Sequence, residues 1–305
     1  MPAIVVRGLR KSYGDTEAVR GIDLEISRGE IVAFLGPNGA GKTTTVEILE
    51  GFLPRSAGHV AVLGVDPAEG RSAWRDRIGI VLQESAPDPG LTVRESLELY
   101  SGYYTRPRSV AETMRLIGLD DKADVRATAL SGGQRRRLDF GLALIGDPEL
   151  IFLDEPTTGF DPSARRAAWH VINDLRELGK TIFLTTHYME EAERLADRIA
   201  VIVDGRVVAE GTPQTLGGRD QAETVISFTL PDSVSAADLP AAFAADADIS
   251  SGQAIAIRTA TALDHLELLS MWARAHDVEV SNLEVTRPTL EDIYLRLTSR
   301  DTKES

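Results

Sequence analysis

Residues 36–43 read GPNGAGKT, a match to G-x-x-x-x-G-K-[ST]. The apolar run EIVAFL leads into it and TTVEILEG follows. A strand, a glycine-rich turn and a helix in that order make a phosphate-binding loop. Glycines let consecutive backbone N–H groups turn inward around an anion, and the positive end of the next helix adds to them. Gly36, Asn38, Gly39 and Gly41 would shape the loop, with Thr44 at its helical end. Lys42 suits the β- and γ-phosphates of a nucleotide, and the Thr43 hydroxyl suits Mg²⁺. The competing reading, a turn that happens to precede a helix, requires a chance match in a chain with only 5 lysines.

A second pattern supports the first. In LIFLDEP, residues 150–156, four apolar residues deliver Asp154 and Glu155 to the C-terminal edge of a sheet. Ligand sites of α/β proteins lie at that edge. Asp154 is placed to hold Mg²⁺ through water, and Glu155 to polarise an attacking water. Alone, an Asp-Glu pair after a strand is commonplace. Together with the Lys42 loop it makes a phosphate-hydrolysis site.

A third stretch, LSGGQRRRL at 130–138, admits three readings: a turn opening a helix, a basic patch, or an anion-binding loop whose phosphate is held elsewhere. Arg135, Arg136 and Arg137 project about 100° apart on a helix and cannot form one face. They are expected to serve solvent or intersubunit contacts rather than nucleic acid.

The rest of the chain sets bounds on these sites. Its 305 residues allow one large domain or two ordinary ones, and 43% hydrophobic with 26% charged residues is a globular composition. The net charge of -14 argues against nucleic acid and anionic membrane as direct partners. Having no cysteine, the chain has no disulfide, thiolate metal site or cysteine nucleophile. No apolar run approaches the roughly 18 residues that span a bilayer. The N-terminus MPAIVVRGLRK does not read as a signal peptide, so a cytoplasmic chain is expected, with membrane contact only through a partner.

Short β-branched runs (IVVRGL, DLEI, EIVAFLG, HVAVLG, RIGIVLQ, LIFLD, TIFLTTH, RIAVIVDG and RVVAEG) alternate with helical stretches over the first 216 residues. This predicts an α/β fold with a largely parallel sheet. Helices are expected after Gly41, within 92–101, after Ser131, over 162–178 and over 188–197. Gly217-Gly218 marks a break. Residues 219–305 carry 7 Lys/Arg against 15 Asp/Glu. This segment predicts a small α/β accessory domain, with strands VISFTL, AIAIR and VEVSNLEV and helices near 262–276 and in TLEDIYLRLT.

In their order along the chain, GPNGAGKT, LSGGQ and LDEP resemble the ATP-binding cassette (ABC) ATPase family over roughly residues 3–216. LSGGQ is that family's own signature. The resemblance implies a P-loop NTPase cassette at 1–217, with a RecA-like core, an antiparallel β subdomain and an α-helical subdomain at about 84–148; residues 218–305 form the accessory domain. It also implies ATP and Mg²⁺ as ligands, and further site residues. Tyr13 in SYGD matches the aromatic that stacks on adenine, although it could be a strand-end tyrosine. Gln83 in VLQE matches the glutamine that joins Mg²⁺ and water to the helical subdomain. Asp161 in TTGFDP matches the aspartate of the loop that communicates across a dimer, and is equally suited to cap a helix before Pro162. His187 in FLTTH matches the switch histidine at the γ-phosphate. Departures are small: Phe160 stands where many relatives have leucine, and three arginines follow the signature.

The family arrangement is a head-to-tail homodimer with ATP held between one chain's Lys42 loop and the other chain's Ser131, Gly132, Gly133 and Gln134. Three functions compete: the ATPase subunit of an exporter with separate permease chains, a soluble ATPase acting on DNA or ribosomes, and a module that holds ATP without turnover. The short span between the two motifs, the single acidic cassette and the intact Glu155 favour the first. TTGFDP and the tail RPTLEDIYLRLT are similar to the drug-exporter group, which includes daunorubicin/doxorubicin-resistance subunits. Lipid, polysaccharide or sodium export is the alternative within transporters.

Overall fold

The computed structural model describes residues 1–82, 87–231, 233–240, 243, 247–251 and 254–301. The chain divides into two compact units, Met1–Pro213 and Gln214–Ser305. The division precedes Gly217-Gly218, which lies inside a short 3-10 segment with both glycines in the left-handed region.

The strands of the first unit are β1 Ile4–Tyr13, β2 Thr16–Ile26, β3 Ile31–Leu35, β4 Ala57–Val62, β5 Ile78–Val81, β6 Leu150–Asp154, β7 Thr181–Thr186, β8 Arg198–Val203 and β9 Arg206–Gly211. Its helices are α1 Lys42–Leu49, α2 Ser72–Arg75, α3 Val93–Ser101, α4 Val110–Leu116, α5 Gly132–Leu144, α6 Pro162–Glu177 and α7 Met189–Leu195. Six strands form a sheet in the order β5-β6-β7-β3-β8-β9, parallel except for β9. Every residue of β3, β6 and β7 is buried. Strands covered on both faces must be apolar throughout, which is why IVAFL and LIFL read as unbroken runs.

A second sheet, β2-β1-β4, is antiparallel. The sequence suggests only short strands, IVVRGL and DLEI, here. The structure extends them into strands of 10 and 11 residues that turn at Tyr13 and Thr16. Register shifts between Val6 and Leu9 and between Lys11 and Ser12 break the alternation that would have marked the full length. Helices α3, α4 and α5 fall between β5 and β6, inside the expected helical segment. Thr92 caps α3 with a reciprocal Glu95 bond, an arrangement that satisfies two otherwise orphaned N–H groups.

In the second unit β10 Thr224–Thr229, β11 Ala247–Ser251, β12 Ala254–Thr259 and β13 Ser281–Thr286 pair in the order β11-β12-β10-β13, all antiparallel. Its long helices are α8 Ala262–His276 and α9 Leu290–Asp301. Ile226, Phe228, Ile255 and Ile257 pack with Leu269 and Trp272 of α8 in a core of their own. Strand β11 is absent from the sequence expectation, and the run VEVSNLEV yields a strand only from Ser281 onward.

Candidate active site

Strand β3 ends at Leu35 and α1 begins at Lys42, so GPNGAGKT forms the connection. Gly41 caps α1 with φ 100°, a conformation that side chains resist. A Cβ on Gly41 would stand 2.5 Å from the Ala18 carbonyl oxygen, and one on Gly36 would stand 2.4 Å from that of Ile202. Glycine is required at both positions for space alone. Ala18, Asn38, Gly39, Gly41, Lys42, Thr43 and Thr44 line a cavity of about 550 Å³ together with Glu155, Thr158 and His187.

Lys42 is buried and its Nζ donates to the carbonyls of Gly36 at 2.8 Å and Pro37 at 3.2 Å. The same Nζ lies 3.3 Å from Glu155 Oε1. Glu155 Oε2 lies 3.2 Å from His187 Nδ1 and accepts from the Thr158 hydroxyl at 3.1 Å. Burial alone would raise the Glu155 carboxyl, but His187, Lys42 and Thr158 outweigh it and hold it below its ordinary value. Glu155 is therefore an anion at neutral pH, the form a proton acceptor needs. Its φ of 44° is left-handed, a strain of roughly 1–3 kcal/mol for a residue with a side chain. The Glu155 N–H donates to the Thr185 hydroxyl at 3.0 Å, and that hydroxyl in turn donates to Asp154.

Asp154 ends β6 with its side chain buried, while Thr43 is exposed on the cavity wall. One hydroxyl and one carboxylate suit a hard cation that also takes oxygens from substrate and water. Among the described residues no group of three His, Asp or Glu forms a metal cage by itself. These donor types suit Mg²⁺ arriving with phosphates, although Thr43 lines the cavity and Asp154 does not. Gln83 lies outside the described residues. Tyr13 sits half-exposed at the end of the β1–β2 hairpin, with Lys11 Nζ 5.0 Å from its ring centre, and is not among the residues lining the cavity.

Ser131, Gly132, Gly133 and Gln134 line a different cavity, of about 520 Å³, with Gly159 and Asp161. Ser131 caps α5: its hydroxyl accepts from the Gln134 N–H at 3.3 Å, and Gln134 Oε1 accepts from the Ser131 N–H at 2.9 Å. Asp161 caps α6, accepting from Ser163 N at 2.8 Å and Ala164 N at 2.9 Å, and these bonds lower its carboxyl. Thr158 lines both cavities, but no residue of 131–134 lines the Lys42 cavity.

The arginines following the signature correct one expectation. Arg135 is exposed as foreseen, but Arg136 is buried, 7% accessible, and donates to the carbonyls of Pro156 and Leu82. Arg137 donates to the carbonyls of Ile117 and Gly118. The helical spacing gave three directions without saying which one meets the sheet. Thr158 and Thr185 carry no signal in the sequence, since no motif spacing marks a residue that acts through a hydroxyl.

A parallel sheet with a glycine-lined cavity, a lysine and a carboxylate at its C-terminal edge defines a P-loop nucleotide-binding protein. Comparison with known proteins narrows the class. Residues 19–158 match the ABC transporter family, and residues 224–289 match the ABC transporter domain-containing protein-like, C-terminal domain. Nod factor export ATP-binding protein I of Burkholderia orbicola (strain AU 1054) is 40% identical over 302 residues, covering 97% of this chain and 96% of that protein. Daunorubicin resistance ATP-binding protein DrrA3 of Streptomyces coeruleorubidus is 40% identical over 98% of this chain and 96% of its own length. Among solved structures, a dimeric post-hydrolysis state of the ATP-binding cassette MJ0796 bound to ADP and Pi is similar with TM-score 0.61 and 28% identity, covering 68% of this chain and 98% of that one. The chain belongs to the ATP-binding subunits of ABC transporters and is a nucleotide-binding ATPase of that family. Among the described residues no helix is long and apolar enough to cross a membrane.

Proposed function

We propose that this chain energises a multidrug or related hydrophobic-substrate exporter, working as a head-to-tail homodimer on separate membrane-spanning permease chains. The observation that carries this is the division of the site. Lys42, Glu155 and His187 converge on one cavity, while the Ser131–Gln134 surface lines another. A second copy turned head to tail would close its signature over the first copy's phosphates. Full-length similarity to two export and resistance subunits supports the export assignment. On this reading the chain would work at the cytoplasmic face of the cell membrane, held there by its permease, and the similarity to transporter ATP-binding subunits supports it.

In this reading the backbone of Gly36, Asn38, Gly39 and Gly41 cradles the phosphates with Thr44, Lys42 neutralises the β- and γ-oxygens, and Tyr13 stacks on adenine. Thr43, Asp154 and Gln83 would hold Mg²⁺, whose chemistry there is to neutralise charge on the phosphate oxygens. Glu155 Oε takes a proton from the water whose oxygen bonds to the γ-phosphorus, as the bond from that phosphorus to the bridging oxygen breaks. His187 orients Glu155 and faces the γ-phosphate. The partner's Ser131, Gly132, Gly133 and Gln134 supply a second set of donors, and Asp161 lines the seam. Hydrolysis removes the group that both halves grip and so releases the dimer.

The test is steady-state hydrolysis by the full chain with two substitutions. Glu155→Gln should lower kcat by about 100-fold or more. Ser131→Arg should leave ATP binding by the monomer intact yet abolish ATP-dependent dimerisation and turnover. Normal turnover in the Ser131→Arg variant would overturn the two-chain site.

A further inference from the structure

Arg136 stands on α5 just beyond the Ser131 cap, and the family motif does not account for it. Its guanidinium is buried, and a buried charge persists only where its donors are taken up. Nε donates to the Pro156 carbonyl at 3.2 Å, Nη2 lies 3.5 Å from the Asp154 carbonyl oxygen, and Nη1 donates to the Leu82 carbonyl. Asp139, one turn along the helix, has Oδ2 3.9 Å from Nη1. Asp154 and Pro156 are the two neighbours of Glu155. The guanidinium therefore grips the backbone on both sides of the residue held at φ 44°. Such strain lasts only where the surroundings over-determine it. From the other side, the bond from Glu155 N–H to Thr185 completes the clamp.

We infer that Arg136 is a positioning residue for Glu155, carrying the seating of the signature helix on one nucleotide to the base that acts on the other. This rests on the function proposed above. In a head-to-tail pair, Ser131 at the start of α5 serves the partner's ATP, whereas Glu155 serves the chain's own. The helix α5 joins the two as a rigid rod: a shift at its cap displaces the guanidinium, and with it the carbonyls that set the Glu155 carboxylate. Lysine cannot replace arginine here, because one ammonium does not reach three carbonyls arranged around a planar fork.

The experiment uses the full chain and reads ATP affinity, kcat, KM, Hill coefficient and Tm for R136Q and R136K, each with and without E155Q. R136Q should lower kcat at least about ten-fold, as expected for a misplaced catalytic group, while the Kd for ATP changes less than about two-fold. R136K should recover only part of the loss. In the E155Q background R136Q should cause no further fall in turnover, because the group it positions is already gone. The Hill coefficient should exceed 1 in the wild type and drop toward 1 in R136Q. Unchanged kcat in R136Q, or an equal loss on the E155Q background, overturns the positioning role. A wild-type coefficient of 1, or one that R136Q leaves alone, overturns the transmission between sites. Should R136Q fail to fold, the same comparisons are read on R136K. If E155Q alone keeps wild-type turnover, the assignment of the base itself fails. If E155Q is inactive and R136Q is not, this inference alone fails.

Discussion

The two units of the chain use the same elements in opposite ways. In the first, β3, β6 and β7 are buried at every position, Asp154 ends β6, Glu155 and His187 follow β6 and β7 directly, and Lys42 opens the helix after β3. In the second, every residue of β13 is exposed, and α8 buries only Leu269 and Trp272. A sheet closed on both faces makes a rigid frame, and a rigid frame can hold a strained residue such as Glu155. A sheet covered on one side needs fewer apolar residues and fixes less. The cavity with Lys42, Glu155 and His187 accordingly lies beside the thickly covered sheet.

Removing one large ring from each core should have the largest effect and set the two units apart. Phe183 is fully buried between Phe34 and Phe152, and Phe228 is 2% exposed in the other core. Phe183→Ala and Phe228→Ala should each cost about 3–5 kcal/mol in their own unit. Hydrolysis should fall with the first and persist with the second, as measured by denaturant unfolding alongside ATPase assay. Equal loss of activity from both would mean that the units do not stand apart as folding bodies.

A smaller effect sharpens the picture of the covered sheet. Glu50, just past α1, is buried, and among the described residues neither of its carboxylate oxygens has a hydrogen-bond partner. Burial, followed by the charges of Asp154 and Glu47, pushes its carboxyl up to about 8. Between the ordinary 4.5 and 8 the unfolded chain loses this proton while the folded one keeps it, so Glu50 costs increasing stability as pH rises through that window. Glu50→Gln should therefore raise Tm relative to wild type, with the gap widening from pH 4.5 toward 8. A constant gap across the window would refute the assignment.

The smallest effect has the opposite sign. Arg77 bonds Glu149 and holds its carboxyl at about 2; desolvation opposes this and Arg28 adds to it. A depressed carboxylate contributes stability above its unfolded value of 4.5 and loses it as pH falls toward 2. Both partners are partly exposed to solvent, which keeps the contribution small. Glu149→Gln should lower Tm slightly at pH 7, and the difference should vanish by pH 2, as followed by thermal unfolding over that range.

Much of the first unit was legible because its function leaves local traces. GPNGAGKT and LIFLDEP mark their candidate residues by spacing alone, and strands buried on both sides leave unbroken apolar runs. LSGGQ was legible only through resemblance, since its capping box could open any helix. The burial of Arg136 leaves no trace in the sequence, because a helical wheel gives angles and not neighbours. In the second unit β11, ADISS, carries too little apolar alternation to announce a strand, and β13 begins later than its apolar run suggested. Where a strand has one dry face or none, the pattern that reveals it is correspondingly faint.

Lys42 Nζ and Glu155 Oε1 stand 3.3 Å apart. In the proposed function, the lysine that would receive phosphate is thus engaged by the carboxylate that would receive the proton. An incoming anion would have to win the ammonium away, and in doing so would release the base. Arrival of fuel and arming of the machinery would then be one event, with the ion pair as the guard between them.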